Sequence, residues 1–276
     1  MTGKLGIVAG GGDLPLRVAE AARLSQRPYF ILGLEGQAKH GCFDDLPHAW
    51  VRMGAFAEGI RLLREAQVRE LVFVGTVRRP SLAELRPDAY ATKVLSKSIL
   101  RRGDDGLLRT LMEYLERELD VSFVGPDDLL GDLLAQPGQY GIHGPDENAM
   151  ADIARGVDVA SALGALDVGQ SVVVQGGTVL GLEAAEGTDQ LISRCGALGW
   201  EGLGGVLVKL AKPQQDRRAD LPAIGKETII AAAKAGLSGI AIEAGATLVL
   251  DRDEMIAVAD EKGLFIIGLR RDDFSN

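Results

Sequence analysis

The sequence has few of the residues on which several protein classes depend. Its two cysteines, Cys42 and Cys195, lie far apart and form no CxxC motif, which argues against a disulfide framework and indicates a reducing cytoplasm. The three histidines are equally dispersed and show no metal-ligand spacing. Basic residues number 30 against 39 acidic ones, so the net charge is -9. We therefore expect no nucleic-acid partner, because a phosphate backbone requires a basic face.

Long apolar runs are absent as well. No segment approaches the roughly 18 apolar residues that a membrane-spanning helix needs. The beginning, "MTGKLGIVAGGG", becomes glycine-rich after a short apolar run, unlike a secretory signal. We expect a soluble cytoplasmic protein, and peripheral contact with the inner face of the inner membrane is compatible with this composition. There is also no Walker A motif and no G-x-S-x-G elbow.

The first half of the chain alternates short β-type runs with helical runs. The β-type runs include "KLGIVAG", "PYFILGLEG", "ELVFVG" and "VSFVG", and "LPLRVAEAARL" and "DGLLRTLMEYLEREL" have helical spacing. This rhythm predicts parallel strands joined by helical crossovers. Residues 1–134 are therefore predicted to form an N-terminal Rossmann-like domain with a doubly wound parallel sheet.

The second half begins after a break in this rhythm. Residues 135–146 are rich in Gly and Pro and are predicted to be a linker. Residues 147–276 return to an α/β pattern, in which "QSVVVQGGTVLG" predicts two strands around a Gly-Gly turn. Because such a hairpin is antiparallel, we expect residues 147–276 to form a C-terminal α/β domain with a mixed sheet.

A glycine triplet lies where the first predicted strand turns into a helix. Gly10 and Gly12 fit the dinucleotide fingerprint G-x-G-x-x-G, but Pro15 takes the place of the third glycine. Gly10, Gly11 and Gly12 are therefore candidate nucleotide-binding residues, and a tight turn without a ligand is the alternative. Arg78 follows another strand of this half and is a candidate for the same crevice, with a solvated basic loop as its alternative.

Carboxylates are concentrated in the second half. In "VLGLEAAEGTDQLI", Glu186, Thr188 and Asp189 follow a predicted strand, although helix capping alone would explain Thr188. "VKLAKPQQDRRADLPAIG" adds Lys209, Arg217 and Asp220. Further carboxylates of this half are Glu183, Asp216 and Glu243.

The strand ends that carry Glu186 and Asp189, Asp216 and Asp220, and Glu243 are predicted to meet at one rim of the sheet. Carboxylates mixed with Lys and Arg suit Mg²⁺ or Mn²⁺ together with phosphate, because oxygen ligands hold a hard cation while the basic side chains neutralise phosphate oxygens. The candidate metal ligands are Asp220, Asp189 and Glu186, which are also the candidate catalytic residues. Thr188, Lys209 and Arg217 are candidate substrate-binding residues.

The sequence resembles the UDP-2,3-diacylglucosamine pyrophosphatases of the LpxI type, from lipid A biosynthesis in Gram-negative bacteria. The resemblance covers nearly the whole chain and rests on blocks such as "GIVAGGGDLP", "GTVRRPSL", "EAAEGTDQLI" and "VLVKLAKPQQDRRADLPAIG". Ala223 departs from it, because a Thr-like residue is expected there.

The resemblance implies a metal-dependent hydrolase whose lipid-linked UDP-sugar substrate is cleaved by water to UMP and a lipid 1-phosphate. It also suggests attack on the β phosphorus and Asp220 as the essential acidic residue. A homodimer is compatible with the sequence. Two alternatives remain, a nicotinamide-dependent oxidoreductase and a non-catalytic nucleotide sensor.

Overall fold

The computed structural model describes residues 3–78, 82–94, 103–198, 204–218 and 221–274. The chain divides into two compact units. Unit 1 comprises Met1–Gly131 together with Asp216–Asp220, and unit 2 comprises Asp132–Gln215 together with Leu221–Asn276. Within the described ranges, no helix is long and apolar enough to cross a membrane.

Unit 1 is built on a five-stranded sheet whose paired strands all run parallel. Its strands are β1 (Leu5–Ala9), β2 (Tyr29–Leu34), β3 (His48–Val51), β4 (Glu70–Val74) and β5 (Ser122–Phe123), in the order β3-β2-β1-β4-β5. Its helices are α1 (Leu14–Leu24), α2 (Phe56–Glu65), α3 (Leu82–Leu85), α4 (Ala89–Val94), α5 (Gly103–Leu119) and α6 (Pro126–Leu129).

Helices cover both faces of this sheet. On one face, α2 and α5 bury Leu32, Leu71 and Phe123 in a shared apolar cluster. On the other face, α1 lies against β1 and β2. The predicted Rossmann-like doubly wound sheet is thus confirmed. Strand β3 was not predicted, because "HAWV" is only four residues long and lacks a clear apolar run.

Unit 2 contains a six-stranded mixed sheet in the order β6-β13-β11-β9-β7-β8 and a separate parallel pair, β10-β12. Its strands are β6 (Gly138–Tyr140), β7 (Ser171–Gln175), β8 (Thr178–Leu182), β9 (Val206–Lys209), β10 (Ala223–Ile224), β11 (Gly239–Glu243), β12 (Leu248–Val249) and β13 (Phe265–Leu269). Its helices are α7 (Glu147–Ala165), α8 (Thr188–Gly196), α9 (Lys226–Lys234) and α10 (Arg252–Lys262).

The two faces of the mixed sheet carry different helices. Helix α7 packs against one face in an apolar cluster that includes Val172 and Val208. Helices α8, α9 and α10 pack against the other face, where Val173 and Leu207 are buried. The predicted β7–β8 hairpin forms and pairs antiparallel, and β9, β11 and β13 run parallel to one another. The mixed sheet is therefore confirmed.

The segment predicted as a linker, 135–146, contributes to the structure of unit 2. Strand β6 pairs antiparallel with β13, with Tyr140 opposite Ile266. The Tyr140 side chain is buried, and its hydroxyl accepts a hydrogen bond from the Gln136 backbone N–H at 2.6 Å. Glycine and proline here shape a short edge strand rather than a free connection, because the ladder of β13 supplies the backbone partners.

Candidate active site

The glycine triplet lies at the carboxyl end of β1, next to the end of β4. The Gly10 N–H donates to the Val74 carbonyl, and Gly11 and Thr76 exchange two backbone hydrogen bonds of 2.8 and 2.9 Å. A side chain at Gly10 or Gly11 would come within 2.9 Å of neighbouring oxygen atoms. The close packing of the two turns therefore explains why positions 10 and 11 are glycine. The N–H groups of Gly10 and Gly11 both donate to backbone carbonyls of unit 1. Gly12 has a positive φ of 84° and precedes α1.

Arg78 lies near this turn but points into solvent. Its backbone N–H donates to the Gln37 side chain at 2.8 Å, and its guanidinium pairs with Glu84 at 3.2 Å. The Arg78 side chain is 72% exposed. The glycines follow β1 and Arg78 follows β4, and these strands are parallel neighbours. Arg78 and the glycines therefore share the carboxyl edge of the unit 1 sheet, where ligands of open α/β sheets bind.

In unit 2, Thr188 and Lys209 are brought together. The Lys209 ammonium donates to the Thr188 hydroxyl at 3.1 Å and to the Ala223 carbonyl at 3.1 Å. The Thr188 hydroxyl in turn donates to the Glu183 carboxylate at 2.9 Å. The Ser171 hydroxyl lies 3.4 Å from the Thr188 hydroxyl. We name Ser171, Glu183, Thr188 and Lys209 the Lys209 cluster.

The order of the strands explains why these residues meet. Ser171 begins β7, Lys209 ends β9 directly opposite it, and Glu183 follows β8 and donates its backbone N–H to the Ser171 carbonyl. Side chains alternate along a strand, so Lys209 lies on the same face as Leu207, which is the face covered by α8. Thr188 begins α8 and reaches the same point from the helix.

The Lys209 cluster is mostly buried. Ser171 is fully buried, and Glu183 and Lys209 are each 7% exposed. A buried ammonium and a buried carboxylate are tolerated because a hydroxyl hydrogen-bonds to both. Such an ammonium, held in place before substrate arrives, is suited to neutralising phosphate oxygens.

Thr188 and Lys209 are expected substrate-binding residues, whereas Ser171 and Glu183 beside them are not expected from the sequence. Alternation along the run "VLGLEAAE" places Glu183 and Glu186 on opposite faces, and this pattern alone could have separated the two carboxylates. Strand β8 ends at Leu182, and a β-bulge between Val173 and Val174 shifts the register of the hairpin. The shift places Ser171 opposite Glu183, which the Gly-Gly turn alone would not predict.

The capping interpretation of Thr188 is wrong. Gly187 is the N-cap of α8, with φ 83°, and Thr188 is the first helical residue. Its hydroxyl is directed to Glu183 and not to the helix backbone.

Glu186 and Asp189 lie outside the hydrogen-bond network of the Lys209 cluster. Glu186 accepts from the Ala184 N–H at 3.2 Å and pairs with Arg194 at 3.0 Å. A hydrogen bond from its own backbone N–H, together with the Arg194 guanidinium, lowers the pKa of the Glu186 carboxyl below its usual value. Asp189 is exposed in the first turn of α8. Glu186 is thus engaged by an arginine in this structure.

Glu243 lies at the same strand-end edge as Lys209, one residue beyond Ile242, which pairs with Lys209, but on the opposite face of the sheet. Glu243 ends β11 on the face of Ala241, which packs with α7, whereas Lys209 lies on the opposite face. There, the Glu243 carboxylate pairs with Arg271 at 2.5 Å and accepts from the Ala211 N–H at 2.9 Å. A carboxylate at the end of an apolar strand is stabilised here by pairing.

Three charged residues of the loop after β9 belong to unit 1. Arg217 pairs with Asp127 at 2.8 Å, and Arg218 pairs with Asp216 at 2.8 Å and with Glu116 at 3.4 Å. The hydrogen bond from Arg218 holds the pKa of the Asp216 carboxyl below its usual value. Asp216 therefore does not belong to the unit 2 rim. The predicted role of Asp220 lies outside the described residues.

A site for Mg²⁺ or Mn²⁺ would require several oxygen donors close together. Across the described ranges, no group of three or more His, Cys, Asp or Glu side chains is arranged to hold a metal ion. Within the Lys209 cluster, the ammonium already carries a positive charge, which disfavours a divalent cation beside it. The described donors alone do not fit the ion, so no chemical step is assigned to it.

Comparison with known proteins identifies the family. The N-terminal domain model of the LpxI family matches residues 4–133, and its C-terminal domain model matches residues 136–267. A curated relative from Caulobacter vibrioides, UDP-2,3-diacylglucosamine pyrophosphatase LpxI, is 40% identical over 274 residues, which cover 96% of this chain and 97% of the relative. The chain therefore belongs to the LpxI family.

Proposed function

We propose that this chain hydrolyses the pyrophosphate bond of UDP-2,3-diacylglucosamine, releasing 2,3-diacylglucosamine 1-phosphate and UMP, a step in lipid A biosynthesis. The observation that carries the proposal is the match of both halves of the chain to one family, with 40% identity to the Caulobacter vibrioides enzyme across 96% of the chain. No observation favours the nicotinamide alternative, because Gly10 and Gly11 use their N–H groups internally.

In the proposed reaction, the oxygen of water forms a bond to phosphorus and the bridging P–O bond breaks. Each product carries one phosphate, and the protons of water are shared between the new phosphate groups and solvent. Negative charge on the phosphate oxygens rises on the way to the transition state. Lys209 would neutralise that charge from a position held by Thr188 and Ala223. Asp220 is proposed as the acidic residue that orients water, on the resemblance alone.

Incubation of the purified chain with UDP-2,3-diacylglucosamine tests the activity. We expect UMP and the diacylated sugar 1-phosphate in equal amounts, and no NAD(P)-dependent oxidation. A well-folded chain that leaves this substrate intact would refute the proposal. Hydrolysis in oxygen-18 water locates the attack, and label in the sugar 1-phosphate indicates the β phosphorus. Asp220→Ala is expected to abolish turnover, and retention of most of it would remove Asp220 from the mechanism.

We also propose that activity depends on Mg²⁺ or Mn²⁺, and the family resemblance alone supports this, because the described donors do not fit the ion. A titration of each ion into EDTA-treated protein tests the dependence. We expect activity to fall with EDTA and to return with metal, and full activity in EDTA would contradict it.

Peripheral membrane contact and a homodimer are further proposals. The substrate carries two acyl chains, so a water-soluble chain would meet it at a membrane surface. Flotation with phospholipid vesicles tests the contact, and light scattering after gel filtration tests the dimer. Protein that stays at the bottom of the gradient, or elutes with the 29.2 kDa mass of one chain, would contradict the respective proposal.

A further inference from the structure

Glu183 has no assigned role, yet the structure around it is built closely. Its carboxylate accepts from two donors, the Thr188 hydroxyl at 2.9 Å and the Gln170 backbone N–H at 3.3 Å. Gly169 lies so close that a side chain there would come within 2.2 Å of the Glu183 carbonyl oxygen. Glu183 is therefore fixed from both the backbone and the side chain.

The direction of these hydrogen bonds matters. The Thr188 hydroxyl has one proton and donates it to Glu183, so only its lone pairs face Lys209. Lys209 can only donate, and it therefore needs an acceptor in this position. Without Glu183, the Thr188 hydroxyl is free to rotate and to donate elsewhere.

We propose that Glu183 is a positioning residue for pyrophosphate hydrolysis, acting on the Lys209 ammonium through the Thr188 hydroxyl. The inference rests on the proposed function, since it requires Lys209 to act on the phosphate. Glu183 itself contacts no reacting atom in this arrangement. Its carboxylate accepts the Thr188 proton, so a lone pair of that hydroxyl faces Lys209 and holds the ammonium in one place.

Glutamine cannot replace glutamate here. Both Glu183 oxygens accept, whereas a Gln side chain presents one oxygen and one NH₂ group. One of the two donors, Thr188 or Gln170, would then face another donor. Serine at position 188 keeps the hydroxyl, and valine keeps the shape of threonine without it.

The experiment measures kcat and KM for UDP-2,3-diacylglucosamine with Glu183→Gln, Thr188→Val, Thr188→Ser and the double variant Glu183→Gln/Thr188→Val. Glu243→Gln is the matched control. It also removes a mostly buried carboxylate that accepts a backbone N–H at a strand end, but on the opposite face of the sheet. Thermal unfolding of every variant reports the structural cost.

We expect Glu183→Gln and Thr188→Val each to lower kcat by about 10- to 100-fold, as for the loss of a hydrogen bond to a charged group, with KM changed less than about 3-fold. The double variant should lose no more than about the larger single loss, because both changes break one chain of contacts. Thr188→Ser should retain most of the activity. Glu243→Gln should lower the unfolding temperature while keeping kcat near the unaltered value.

Three results would overturn the inference while the unaltered protein remains active: unchanged kcat in Glu183→Gln, multiplicative losses in the double variant, or an equal kcat loss in Glu243→Gln. If Glu183→Gln does not fold, the activities of Thr188→Ser and Thr188→Val test whether the hydroxyl positions Lys209. Equal activities of the serine and valine variants would then refute the role of the hydroxyl. An inactive unaltered protein would instead refute the proposed function.

Discussion

The buried carboxylate of Asp152 offers a sharp test of how unit 2 is held together. Asp152 is on α7 and is 5% exposed. Its two oxygens accept the backbone N–H groups of Gly176 and Gly177, at 2.9 and 2.6 Å. These two glycines form the turn of the β7–β8 hairpin, each with a positive φ. One side chain thus fastens the hairpin turn to the helix.

The free-energy cost of removing the Asp152 carboxylate follows from its two hydrogen bonds. A hydrogen bond to a charged group contributes about 1.5 to 3 kcal/mol. The turn is exposed, so water can reach the N–H groups left behind, and the lower limit applies to each. Asp152→Ala should therefore lower the free energy of unfolding by about 3 kcal/mol, and the unfolding temperature by about 6 to 12 °C. Asp152→Asn should cost about half, because its amide can accept only one N–H.

Calorimetry and hydrogen exchange together check this prediction. The Gly176 and Gly177 amides should exchange faster in Asp152→Ala than in the unaltered protein. Asp158 is exposed on the same helix, and Asp158→Ala serves as the control, with an expected change within about 0.5 kcal/mol. If Asp152→Ala unfolds like Asp158→Ala and exchanges no faster, the carboxylate does not fasten the turn.

Three further predictions concern other parts of the chain. Lys209→Met keeps the apolar stem but removes the charge, so kcat should fall by about 100-fold or more in the hydrolysis assay; near-normal kcat would remove Lys209 from the mechanism. Glu243→Gln should destabilise unit 2 by about 1 to 2 kcal/mol in urea unfolding, because charged hydrogen bonds to Arg271 and Ala211 are weakened. Cys195 is buried and burial raises the pKa of its thiol, so it should react with a thiol reagent only after unfolding. Cys42 is less buried and should react first, and the reverse order would contradict the placement of Cys195 in the core.

Much of the fold could be predicted from local pattern. Helix α1 has the bounds of the run "LPLRVAEAARL", and the β7–β8 hairpin turns at the predicted Gly-Gly pair. These elements are predictable because apolar spacing and turn residues act over a few neighbouring positions. Strand β3 could not be predicted in this way, because its four residues "HAWV" show no clear apolar alternation and only Val51 is buried.

The candidate site was only partly predictable for the same reason. Thr188 and Lys209 were named from residue type and position, and the family was visible in the order of several motifs. Glu186, and not Glu183, was the candidate residue. Alternation assigns each carboxylate to a face of the sheet, but it does not reveal the β-bulge that places Glu183 beside Ser171. The direction of Glu243 likewise depended on where β11 ends and on Arg271, far along the chain.

The order of residues along the chain was therefore enough to predict the α/β class, most of the strands and helices, and the LpxI resemblance. These features depend on short-range periodicity and on the order of motifs along the chain. Tertiary structure decided which polar side chains share a face. It brought Ser171 of β7 and Lys209 of β9 together with Glu183 and Thr188 from the β8–α8 connection, and it placed the Glu243 side chain on the opposite face. Such contacts depend on strand register and strand order, which arise only when distant segments pack and bury their apolar faces together.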